Sequence, residues 1–189
     1  DSLSAKDLFA YVNDFDGGFK IQKITNAGGA DMDYVINKTM MRINLDEPLI
    51  SGDSIVFNID WNYNINDRMS QKGRSGYEYF PEDDNYSYTI AQFYPRMAVY
   101  DDVEGWQNKQ FLGRGEFTLS FGNFDVSITV PDDFIVGATG WLQNPEQVLT
   151  QGQIKRFETA KNSFKDPVII VTEAEARNSE KNKSKGTET

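Results

Sequence analysis

Over residues 55–63 the chain alternates without a break. Ile55, Phe57, Ile59, Trp61 and Tyr63 fall on one side, with Val56, Asn58, Asp60 and Asn62 between them. Successive strand side chains point to opposite faces, so this run predicts a half-buried β-strand. Met41, Ile43 and Leu45 predict a shorter one, and Asp46-Glu47-Pro48 and Ser51-Gly52-Asp53 supply turns between the two. Further on, Phe117, Leu119 and Phe121, then Phe124, Val126, Ile128 and Val130, flank Gly122-Asn123. Two alternating runs around Gly-Asn predict a tight hairpin, closed by Pro131, which has no N–H for a ladder. Residues 134–136 and 140–142 predict another strand pair, and residues 168–171 a buried strand.

The period changes to a helical one over residues 145–164, where Ile154, Phe157, Ala160 and Phe164 share a face. Ser4-Ala5-Lys6-Asp7 has the spacing of a capping box before a short helix over residues 5–13, and Gly17-Gly18 ends that region. Residues 178–189 contain no apolar residue and predict a flexible loop or tail. The sum predicts an all-β fold with one or two peripheral helices. Uneven strand lengths favour a twisted β-sandwich over a closed barrel.

Composition changes this picture in three places. With 29 acidic against 19 basic residues the net charge is -10. That argues against a nucleic-acid partner, because phosphate binding needs clustered Lys and Arg. No apolar run reaches the roughly eighteen residues of a membrane span. The chain has no cysteine and no histidine. Thiolate metal sites, His-containing triads and the HExxH zinc helix are therefore excluded from it.

Several clusters carry possible chemistry. Glu82-Asp83-Asp84-Asn85 is either an oxygen-rich cation loop or a solvated turn. Asp101, Asp102 and Glu104 are either a paired-carboxylate site or turn residues. The aromatics Tyr77, Tyr79, Phe80, Tyr86, Tyr88, Phe93 and Tyr94 are either a platform for sugar rings or cross-strand packing pairs. The richest stretch is residues 88–102, YTIAQFYPRMAVYDD. A strand continued through it places Gln92 on the same face as Tyr86, Tyr88, Ile90 and Tyr94. An amide on such a face either bonds a neighbouring backbone or points into a site. Arg96 is expected to pair with Asp101 or Asp102.

The segments AQFYPRMAVYDDVEGWQNKQFLGRGEF (residues 91–117) and FDVSITVPDDFIVGATGWLQN (residues 124–144) carry a resemblance. They resemble the amino-terminal domain of zinc metallopeptidases of the aminopeptidase N type (gluzincins), in particular their bacterial branch. The second segment is similar to a pattern of that domain through Val130-Pro131, Ile135-Val136, Thr139-Gly140, Leu142 and Asn144. The resemblance implies a saddle-like β-structure over residues 1–177, without the first and last strands of that domain, followed by the loop over 178–189. It implies a non-catalytic domain that flanks the substrate and caps the cleft of a thermolysin-like catalytic domain.

In that family the zinc and its HExxH motif belong to the catalytic domain, so no catalytic residue, metal ligand or cofactor is expected in this chain. Its partners would be that catalytic domain and a peptide substrate, in an extracytoplasmic compartment. The family places a Gln, and two residues on a Glu or Gln, beside the substrate. Gln92 and Tyr94 occupy those positions here. Tyr94 has no carboxylate for the substrate's ammonium and offers only a phenolic hydrogen bond or an aromatic face. The competing expectation is an extracytoplasmic glycan- or protein-binding β-sandwich module.

Overall fold

The structure, a computed structural model, describes residues 15–71, 74–110, 120–183 and 185–189. The expected helix over residues 5–13 lies outside these. Among the described residues strands hold 25% and helices 17%, roughly compatible with a mostly-β fold but not clearly a sandwich. Among the described residues every sheet is a two-stranded antiparallel ribbon or hairpin, with no barrel. Two compact units are formed, one within Asp1–Phe80 and Tyr86–Gly122, the other within Pro81–Asn85 and Asn123–Thr189.

In the first unit β1 (Lys20–Asn26) pairs with β4 (Phe57–Asn62). β4 is the alternating strand of the sequence: Phe57, Ile59 and Trp61 are half-buried, and Asn58, Asp60 and Asn62 are exposed. β1 has no such alternation, because a bulge at Gln22 shifts its register. The two most enclosed side chains, Ile24 at 2% exposure and Thr25, lie just past that bulge. β2 (Tyr34–Asn37) and β3 (Met40–Ile43) form a hairpin about Lys38, which adopts φ 55°. β5 (Gly76–Phe80) and β6 (Asn85–Thr89) are joined across the acidic turn. β7 (Tyr100–Asp101) and β8 (Gly105–Trp106) make a miniature hairpin, with Tyr100 edge-on to Trp106 at 5.3 Å. A one-turn helix, α1 (Arg68–Gln71), precedes β5.

In the second unit β9 (Val130–Pro131) pairs with β10 (Thr187–Glu188). The helix expected over 145–164 divides into α2 (Pro145–Val148) and α3 (Gln151–Lys161). The cause is local: Leu149 is extended, and Thr150 and Gln153 form a complete capping box that starts a new helix. Ile154, Phe157 and Ala160 do form its half-buried face, while Phe164 lies beyond the helix and is exposed.

Other expectations are corrected. Residues 178–189 were expected as a flexible loop, yet α4 (Glu173–Lys181) runs through the first part and β10 occupies the end. Thr172 and Glu175 cap α4 reciprocally, and Arg177 pairs with Glu173 one turn back. These local contacts sustain a helix that has no apolar face to announce it. Residues 168–171 form no strand; the Ile170 carbonyl accepts the Nε–H of Arg156 instead of a ladder partner. No strand is assigned over residues 134–136 or 140–142. Of the hairpin expected about Gly122-Asn123, residues 117–119 lie outside the described set. Among the described residues no strand is assigned over 120–129, and Val130–Pro131 pairs with β10. Among the described residues there are four helices, two of them single turns, where one or two helices were expected.

Candidate functional site

The ends of three strands of the first unit converge. β4 runs out at Asn62 and the chain continues through Tyr63 to Asn66; β5 starts at Gly76; β6 stops at Thr89. They surround a concavity of about 250 Å³, lined on its apolar side by Phe19, Tyr63, Ile65, Ile90 and Phe93 and on its polar side by Asn66, Ser75, Thr89 and Gln92. Phe19 packs edge-on against Tyr63 at 5.7 Å. Partial burial pushes the Tyr63 phenol above its ordinary value, so it stays protonated, a donor as well as an acceptor.

Gly76 makes the concavity possible. It is buried and sits at φ +145°, where a Cβ would stand 2.5 Å from the Asn66 carbonyl oxygen. That close approach lets Tyr77 N–H donate to Asn66 O at 2.9 Å, while the Asn66 amide donates to Ser75 O at 3.0 Å.

Gln92 does not continue the strand, as its spacing predicts. β6 ends at Thr89, and Gln92 turns the backbone into the left-handed region at φ 53°. This is an uncommon conformation for a residue with a Cβ. Its side chain is exposed, lines the concavity and makes no hydrogen bond among the described residues. The next residue is anchored: Trp61 Nε1–H on β4 donates to the Phe93 carbonyl at 3.2 Å. Tyr94 is half-buried, edge-on to Phe93 at 5.4 Å, and is not among the lining residues. The structure therefore brings Gln92, Phe93 and Tyr63 to one hollow and leaves Tyr94 beside it.

The carboxylates have structural tasks. Asp101 Oδ1 accepts the backbone N–H of Val103 at 3.0 Å and of Glu104 at 2.7 Å, and Oδ2 accepts the Gln107 amide at 2.6 Å. The Glu104 N–H first, then the Gln107 amide, hold the Asp101 carboxyl below its ordinary value. It is the turn residue of β7–β8. Among the described residues Arg96 forms no ion pair with Asp101 or Asp102, and Asp101 is filled by donors of its own turn. In the acidic turn, Asp84 pairs with Lys183 and Asn85 donates to Glu180 at 3.3 Å. No three His, Cys, Asp or Glu side chains come together among the described residues. With no His or Cys in the sequence, the donor set does not fit a zinc site.

The aromatic cluster gathers on one face of β5–β6. Tyr79 lies 4.8 Å from Tyr86, Tyr77 lies 5.8 Å from Tyr86 at 67°, and Tyr86 stacks on Tyr88 at 6.1 Å. The rings pack on one another as cross-strand pairs do.

Sequence reasoning singled out Gln92 but missed Phe19, Asn66 and Gly76. Tyr63 was legible as the last inward position of the alternating run. A lone glycine before an alternating strand was the available signal for Gly76. Phe19 and Asn66 had none. Comparison with family models, with curated proteins and with solved structures gives no match.

Proposed function

We propose that this chain is the substrate-flanking, non-catalytic amino-terminal domain of a zinc-dependent metallopeptidase of the aminopeptidase N type, with a saddle-like β-sandwich architecture, working in an extracytoplasmic compartment. The observation that carries the proposal is Gln92. An exposed amide in a left-handed conformation borders an aromatic hollow, at the position where the resemblance implies a substrate-side Gln. Backbone strain held beside a cavity is a common property of binding sites.

Large apolar side chains stand in the open in each unit, among them Ile36, Val103 and Trp141. Such surface fits a chain that packs against further polypeptide. The metal chemistry, activating water and polarising the scissile carbonyl, would be supplied by the catalytic domain. This chain's part is to bind and orient: the hollow takes an apolar group, and Gln92 offers one donor pair and one acceptor to the adjoining peptide. Tyr94 contributes through its packing on Phe93 more than through contact with an amine.

The reading frame that encodes this chain tests the proposal most directly. An HExxH motif within a few hundred residues downstream of Thr189 is expected, and a frame without one ends it. A second reading, a glycan-binding module, draws on the tyrosine face, since Tyr79, Tyr86 and Tyr88 each keep over two-fifths of their surface exposed. Calorimetric binding of an oligosaccharide that is lost in Tyr86→Ala would favour it over the first.

A further inference from the structure

One short run of the first unit ties the walls of the hollow together. Residues 61–66 are the end of β4 and its continuation, and Tyr63 and Ile65 among them line the hollow. Their neighbours reach the separate walls. Trp61 Nε1–H donates to the Phe93 carbonyl at 3.2 Å, and the Asn66 amide to the Ser75 carbonyl at 3.0 Å. Asn64 reaches a third wall. Its amide donates to the Asp16 carbonyl at 2.8 Å and to the Asp16 carboxylate at 3.4 Å. Lys20 meets the same carboxylate from the other end, with Nζ 2.6 Å from Oδ2.

Between Asp16 and Lys20 lie Gly17, Gly18 and Phe19. The β1–β4 ladder ends at the pair Lys20 and Asn62, so Phe19 stands just outside it. Gly18 sits at φ +80° with nothing within 4 Å of where a Cβ would be, so neither ladder nor packing fixes the segment there. The contacts at Asp16 supply the restraint. Phe19 is thereby set edge-on to Tyr63, at 87° and 5.7 Å, as one wall of the hollow.

We propose, on the reading of the hollow as the seat of a substrate's apolar group, that Asn64 is a positioning residue. Acting through Asp16, it holds Phe19 in place, and Phe19 sets the size of group that the hollow prefers. Asn64 itself is exposed and does not line the hollow. None of the described lining residues is charged, so selection there is by fit. A bulky aromatic group fills the hollow and touches Phe19; a methyl group leaves most of it empty.

Asn64→Leu keeps the size of the side chain and removes the donor, whereas Asn64→Gln keeps the donor. In the chain itself, Asn64→Leu should weaken the nuclear Overhauser contacts between the Phe19 and Tyr63 rings and speed amide exchange at Gly18 and Phe19, with β2–β3 unchanged. In a metallopeptidase that contains this chain, the ratio of kcat/KM for a peptide beginning with phenylalanine over one beginning with alanine should fall about threefold or more, through KM. Asn64→Gln should return the ratio towards its original value. A general loss of stability would lower both peptides alike and leave the ratio unchanged. Gln92→Ala, which removes a polar contact common to both peptides, should lower both equally and marks whether the hollow takes substrate at all. If Gln92→Ala acts and Asn64→Leu leaves the ratio or the ring contacts unchanged, the positioning role alone is overturned. If neither variant changes either peptide, the hollow takes no substrate and both readings fall.

Discussion

The indole N–H of Trp61 donates to the carbonyl of Phe93 at 3.2 Å, across 32 residues of sequence. It ties the penultimate residue of β4 to the first residue after the left-handed turn at Gln92. Trp61→Phe keeps the apolar bulk facing β1 and removes this bond. A hydrogen bond of this type contributes about 1 kcal/mol net, or a fall of roughly 2–4 °C in Tm for a chain of this length. The more specific outcome is local. Amide exchange at Phe93 and Tyr94 should accelerate more than exchange in β1 and β4. A uniform change across the unit would show that the bond does not hold the segment in place.

Gly76 offers a sharper test of how the hollow is built. Gly76→Ala puts a methyl 2.5 Å from a backbone oxygen at a φ that L-residues rarely adopt. The neighbour is main chain, so it cannot swing aside. The contact between Asn66 and Tyr77 must open, and a loss of about 2–3 kcal/mol is expected. Gly52→Ala serves as the control. It also has a positive φ, but nothing stands within 4 Å of its Cβ. The difference between the two melting temperatures isolates the steric part.

Which of these features were legible in the sequence follows from the range of the forces involved. β4 declared itself because alternation is a local property, and so did the helix around Ile154 and Phe157. β1 did not, because the bulge at Gln22 puts Ile21 and Ile24 out of phase and the strand exists by pairing with β4. α4 was hidden for a different reason. Its stability lies in capping and ion pairs, which leave no apolar stripe. Gln92 was identifiable as an amide out of place, but its strand face was misread: nothing in AQFYP states that the backbone reverses there. Phe19 reaches the hollow only through tertiary packing, and no local pattern encodes that.

Between α3 and α4 the guanidinium of Arg156 donates to both oxygens of Glu175 at 2.6 Å and through Nε to Ile170 O at 2.7 Å. The Arg156 contact, followed by the N–H and hydroxyl of Thr172, lowers the Glu175 carboxyl to about 2. An unfolded glutamate titrates near 4.3. The unfolded chain therefore binds this proton first as pH falls. The stabilisation is complete above about pH 5 and is lost progressively as the pH falls towards 2. Helical circular dichroism should decline over that window. Glu175→Gln should lower helix content at pH 7 and flatten the acid transition. An unchanged transition in that variant would place the acid sensitivity elsewhere.

Gln92 should separate stability from function. At φ 53° a residue with a Cβ costs about 1 kcal/mol relative to glycine. Its exposed amide returns no hydrogen bond among the described residues to offset that cost. Gln92→Gly should therefore raise Tm by a few degrees, whereas Gln92→Ala, which keeps the strain, should leave it nearly unchanged. Under the proposed function, both variants placed in a metallopeptidase that contains this chain should lower kcat/KM for peptides by a modest and similar factor, since both remove the amide. If the side chain reads the substrate's free amine, the loss will be larger for unblocked peptides than for acetylated ones. If it reads the peptide backbone, the two losses will be equal. A stabilised Gln92→Gly with undiminished kcat/KM would mean that the strained conformation serves no substrate, and the role assigned to Gln92 would have to be withdrawn.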